Sequence, residues 1–173
     1  MMLKIIGAIL VCGSSALLGL YWASRETFRA DDLNEWKKAL LILKSEIAFS
    51  SAPLPEAMEH IAERTVKPVS PIFHTFAESL TMKTKESVGR LWREAIARWE
   101  KQSFLAPEDW ECLRAFGANL GYLDKAMQLN TIEMTLSYID AKITFLSQHS
   151  ETNQKMYRSL GVLGGLLIAV IFF

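Results

Sequence analysis

Apolar positions along this chain follow two regimes. At both ends they run on without interruption, and between the ends they recur every third or fourth residue. The first regime is that of a segment surrounded by lipid, and the second is that of helices with one face in a core.

Ile5 to Trp22 contains no charged residue. As a helix those eighteen residues would span about 27 Å, close to the ~30 Å hydrocarbon core of a bilayer. Tyr21 and Trp22 close the run, as aromatic residues do at a membrane interface. Met1 to Lys4 resembles the basic start of a signal peptide, but bulky Tyr21 occupies the region where cleavage needs a small residue. At the other end, Leu160–Phe173 reaches spanning length once Met156, Tyr157 and Arg158 are added, with Arg158 snorkelling to the headgroups. Gly161 and Gly165 have the spacing of a transmembrane packing face, and Ala8, Cys12 and Ala16 offer small residues on the other segment. Arg25, Arg29, Lys155 and Arg158 flank the segments on the inner side, against Lys4 outside, so the positive-inside rule places the intervening chain in the cytoplasm. The expected division is an external N-terminus at 1–4, a transmembrane helix at 5–22, a cytoplasmic bundle with a membrane-proximal stalk at 23–155 and a transmembrane helix at 156–173.

Between the spans no stretch alternates with a two-residue period, so strands are not expected. Leu33, Trp36, Leu40, Leu43 and Ile47 make one helical face, and Ala52 before Pro53 ends that element. Pro55 suits the first turn of a second helix burying Met58, Ile61 and Ala62. After Pro68, Ser70 reads as the cap and Pro71 as the first residue of a third helix carrying Phe73, Phe76 and Leu80. Thr84 can cap a fourth, with Val88, Leu91, Trp92, Ala95, Ile96 and Trp99 as its stripe. Pro107, Glu108 and Asp109 open a fifth that buries Trp110, Leu113 and Phe116, with its acids at the positive end of the helix dipole. Gly117 and Gly121 punctuate a turn, Asp124 caps or starts the helix after it, and a long sixth helix follows from about Leu123 with Ile132, Leu136, Ile139, Ile143 and Leu146 inward. The fold class is therefore all-α: a six-helix cytoplasmic bundle flanked by N- and C-terminal transmembrane helices.

Composition adds mainly exclusions. The chain has 173 residues with 19 basic and 19 acidic side chains, so no global field draws it to nucleic acid. Two cysteines, Cys12 and Cys112, cannot build a disulfide framework. His60, His74 and His149 have no metal-ligand spacing, and there is no phosphate loop, dinucleotide fingerprint or nucleophile elbow. The pattern points away from an enzyme, and no cofactor or metal is expected. Glu56, Glu59 and Glu63 line one side of the second helix, and Lys83 and Lys85 sit in a loop. Such a run is ordinarily a solvated face, and it is also the candidate partner face.

Three stretches carry a resemblance. Pro53-Leu-Pro-Glu-Ala57 starts a helix, Gly117-Ala-Asn-Leu-Gly121 with Asp124 and Gln128 turns into the long helix, and Lys155-Met-Tyr-Arg158 leads into Leu160-Gly-Val-Leu-Gly-Gly165. Together they resemble the stage III sporulation protein AB family of endospore-forming bacteria. That family is similar to the F-domain inner-membrane platform proteins of type II secretion and type IV pilus systems. Larger platform proteins carry two such domains and three spans, whereas one domain and two spans are expected here. The resemblance implies a membrane platform subunit of a secretion-like complex between mother cell and forespore. The expected partners are a cytoplasmic secretion-type ATPase, other membrane subunits of the complex and membrane lipid, and the pattern is compatible with an oligomer. A membrane-tethered adaptor outside any secretion machine is the alternative.

Overall fold

The structure is a computed structural model that describes the backbone of residues 2–50, 52–82, 86–118, 120 and 124–172, and the side chains among them from 25 to 148. The described elements are helices α1 (Met2–Phe49), α2 (Leu54–Arg64), α3 (Val69–Thr81), α4 (Val88–Trp99), α5 (Pro107–Ala118) and α6 (Lys125–Phe172), with a 3₁₀ turn at Glu100–Gln102. No strand occurs among the described residues. The chain forms two compact units, one of Arg29–Ile143 and one of Met1–Phe28 with Thr144–Phe173. Among the described residues no helix is long and apolar enough to cross a membrane. The expected spans 5–22 and 156–173, with Gly161 and Gly165, lie outside the residues whose side chains are described.

Within the Arg29–Ile143 unit, short links make sequence neighbours pack: α2 on α3, α3 on α4 and α4 on α5. The two long helices run antiparallel there. Lys37 pairs with Asp140 at 2.7 Å, Lys44 pairs with Glu133 at 2.8 Å, and the Lys125 ammonium donates to the Ala48 carbonyl at 2.7 Å. Partner numbers on α6 fall as numbers on α1 rise, which fixes the direction.

The apolar stripes meet in an aromatic core. Trp36 of α1 packs on Phe73, Trp92 and Trp110, with ring centroids 5.5, 6.0 and 6.2 Å away. Trp92 also meets Phe73, Phe76 and Phe116, each at a steep interplanar angle. Edge-to-face geometry of this kind adds to the stabilisation from area alone. The Trp92 indole N–H donates to the Leu113 carbonyl at 2.8 Å, whereas the buried Trp36 N–H finds no acceptor among the described residues. The stripes read from the sequence are buried in the main, while Ile47, Leu80, Val88, Trp99 and Ile143 are half-buried at the ends of their faces.

Helix starts differ from expectation at two places. Helix α3 begins at Val69, just after the cis peptide bond Lys67–Pro68, so Ser70 lies inside it. The Val66 carbonyl accepts from the N–H groups of both Val69 and Ser70, and the Ser70 hydroxyl donates back to the Ala62 carbonyl at 2.7 Å. The serine ties α3 to the end of α2 instead of capping α3. Helix α4 begins at Val88 with Ser87 in the cap position, so Thr84, expected to cap it, lies too far upstream; Thr84, Lys83 and Lys85 themselves lie outside the described residues. Asp124 caps α6, its carboxylate accepting the Met127 N–H at 2.8 Å.

Candidate partner-docking surface

Pro53 and Pro55 set the start of α2, and Ala57, Met58, Ile61 and Ala62 turn its apolar face inward. That orientation dictates where its acids go. Glu56 and Glu63 are exposed and Glu59 is half-buried on the flank toward α3. There, His74 of α3 sits with its Nδ1 2.9 Å from the Glu59 carboxylate and its Nε2 3.7 Å from Glu78. The hydrogen bond to Glu59 raises the His74 pKa above the usual histidine value, with attraction to Glu59 and Glu78 adding to it. Pro55, Glu56, Glu59, Ala77, Glu78, Thr81 and Met82 line a groove of about 540 Å³ between α2 and α3. Its floor is apolar and its rim is acidic. Glu78 and His74 belong to this face although the sequence reading did not place them there. Their step of four residues along α3 was the available signal. Glu63 lies outside the groove, further along α2.

The glycine segment divides. Gly117 lies in the last turn of α5 and not in the link after it. Its place there is dictated by Trp92: a Cβ on Gly117 would come within 1.8 Å of the Trp92 ring. Gly121 lies outside the described residues. Gln128 lines a shallow depression with Lys125, Glu46, Ser50 and Leu54, at the end of the bundle where α1 stops and α6 starts.

A second polar centre was not legible in the sequence. Asp109 of α5 is fully buried. Its carboxylate accepts from Arg29 Nε at 2.7 Å and Arg29 Nη2 at 2.9 Å, from the Tyr138 hydroxyl at 2.9 Å, and from the Ala106 N–H at 2.9 Å. The last bond caps α5 from within its first turn. Burial works against the Arg29 charge, but hydrogen bonds and attraction from Asp109 and Glu108 outweigh it and raise its pKa. Burial first, and then the bond to Asp109, pushes the Tyr138 hydroxyl above its ordinary range, so it remains a donor. Burial likewise raises the Cys112 thiol. The bonds Asp109 receives come from α1, from α6 and from the residue before α5, so the carboxylate holds α1, α5 and α6 together. Asp32 does similar work nearby, accepting from the Ser103 hydroxyl at 2.7 Å and the Phe104 N–H at 2.8 Å.

No group of three or more His, Cys, Asp or Glu side chains placed to hold a metal occurs among the described residues. The chemistry on offer at the acidic groove is recognition of a charged, partly apolar surface.

Comparison with known proteins agrees with this architecture. A solved structure of stage III sporulation protein AB superposes with a TM-score of 0.66 at 26% identity, covering 72% of this chain and 97% of that one. The stage III sporulation protein AB of Bacillus subtilis (strain 168) is 31% identical over 171 residues, 98% of this chain and 99% of its own length. The model of the family described as stage III sporulation protein AB matches residues 4–173. With both ends and the whole helical domain inside that match, the chain belongs to the stage III sporulation protein AB family.

Proposed function

We propose that the chain is a non-enzymatic platform subunit of a sporulation-specific, secretion-like complex between mother cell and forespore. Hydrophobic segments 5–22 and 156–173 anchor it in the mother-cell membrane, and the bundle faces the cytoplasm. Its acidic α2–α3 face docks a cytoplasmic secretion-type ATPase. Membership of the stage III sporulation protein AB family supports the sporulation role. The charge-free runs at both ends support the membrane anchorage.

The observation that carries the docking assignment is the groove edged by Glu56, Glu59 and Glu78 with Met82 at its mouth, 73% exposed. An acidic rim around apolar surface steers a basic partner and gives it something to bury. The rigidity a docking platform needs comes from the Arg29–Asp109–Tyr138 centre and the aromatic core. The test is affinity purification of the tagged full-length chain from membranes of sporulating cells, with mass spectrometry of what co-purifies. A secretion-type ATPase should be recovered above an untagged control. Its consistent absence, with the tagged chain present in the membrane fraction, would leave the adaptor role in its place.

A further inference from the structure

On the outward side of α6, Met127, Asn130, Met134, Ser137 and Ala141 are all exposed. They recur by three and four, the spacing that lines up one seam along a helix. None carries a charge, in a chain where 22% of residues do. Met127 is 54% and Met134 67% exposed. The charged residues nearest this seam are engaged at its edges. Glu133 and Asp140 are held by Lys44 and Lys37 of α1, and Lys142 lies over the Tyr138 ring and 3.6 Å from Glu108. The result is a neutral stripe about 21 Å long that carries two exposed methionine thioethers.

We propose that this stripe is the contact between two copies of the chain, packed α6 against α6 in parallel. A two-fold pairing sets each residue against itself or its close neighbour, so any charge on the seam would meet its like. A stripe free of charge, with its flanking charges already paired to α1 and α5, meets that demand. A charged partner would instead desolvate its own charges against Met134 and Ala141 with nothing to answer them. The parallel alignment rests on the two-span membrane reading, because copies in one membrane point α6 the same way. The stripe is narrow: about 21 Å by about 10 Å of helix face falls well short of the ~800 Å² per partner of a stable soluble dimer. Confinement in a membrane supplies the effective concentration that such a contact needs.

The test uses the full-length chain with Cys12→Ser and Cys112→Ala, and one new cysteine at a time: Met134→Cys, Ser137→Cys, or Arg93→Cys on the exposed side of α4 as control. Cells are treated with a short thiol–thiol crosslinker and then fractionated. Positions 134 and 137 should give an adduct of twice the 19.5 kDa chain, at about fivefold or more the yield from position 93. Adding Met134→Lys to Ser137→Cys should remove most of that adduct while leaving the helical circular dichroism unchanged. Equal yields at 134, 137 and 93 in membrane-bound chain overturn the interface and leave the anchoring intact. Adducts of some other mass assign the stripe to a different partner and also overturn it. Chain recovered in the soluble fraction overturns the membrane reading, and with it the parallel contact.

Discussion

Gly117 and Trp92 set the tolerances of this fold. The indole of Trp92 is fully buried and is fenced by Trp36, Phe73, Phe76 and Phe116, so it cannot retreat from an added methyl group. Gly117→Ala should gain roughly 1 kcal/mol of helix propensity and lose more than that to overpacking, for a net destabilisation of about 2 kcal/mol. Chemical denaturation followed by circular dichroism would measure it, and a neutral result would mean that the α4–α5 contact is looser than described. His74 makes the pH-dependent contact at this scale. Its raised pKa means that Glu59 favours the protonated ring. The stability from this contact is therefore fully present below about pH 6.5 and is lost as pH rises through the raised value. The His74 ring resonances in NMR should titrate above the ordinary histidine range and move back toward it in Glu59→Gln, with Glu78 still attracting the protonated ring. Neither feature could be read from local sequence. A glycine beside a turn looks like part of the turn, and the His74–Glu59 pair spans 15 positions.

Among the elements, hydrophobic spacing located all six helices and most of the core, because burial of one face is what forms them. It failed where a polar side chain could do either of two things. Ser70 has the composition of a cap, yet its hydroxyl finds a better acceptor in the Ala62 carbonyl, and the helix starts at Val69, two residues before Pro71. Arg29 reads as a positive-inside signal, yet it spends its donors on Asp109, 80 positions away. Asp109 reads as a dipole complement at the start of α5 and is in fact the buried anchor for α1 and α6 as well. Removing it leaves the Arg29 guanidinium with Glu108 alone and takes the acceptor from the Tyr138 hydroxyl. Asp109→Ala should cost about 3 kcal/mol. The loss should register first as faster hydrogen exchange in α5 and at the contact between α1 and α6. A change confined to α5 would mean that the carboxylate is only a helix cap.

At the largest scale, the described residues of the Arg29–Ile143 unit form a helical domain with an aromatic centre, an acidic groove on the α2–α3 side and a neutral stripe on α6. Glu56 and Glu59 were visible in the sequence as one side of α2. The groove was not, because its far rim, Glu78 and Met82, comes from another helix. Under the two proposals made above, the charged face would serve a soluble partner and the uncharged one self-association. The two are separable by mutation, since no residue belongs to both.

The central claim is that the acidic face holds a secretion-type ATPase, and retention of that ATPase by charge-reversed chain tests it most directly. Full-length wild-type chain and a Glu56→Lys, Glu59→Lys, Glu78→Lys variant would be immobilised from membranes of sporulating cells and washed at rising salt. Wild-type chain should retain the ATPase at low salt and release it progressively as screening sets in. The variant should retain about tenfold less at the outset, with its membrane fractionation and helical content unchanged. Equal retention by the two chains, unaffected by salt, would contradict the account.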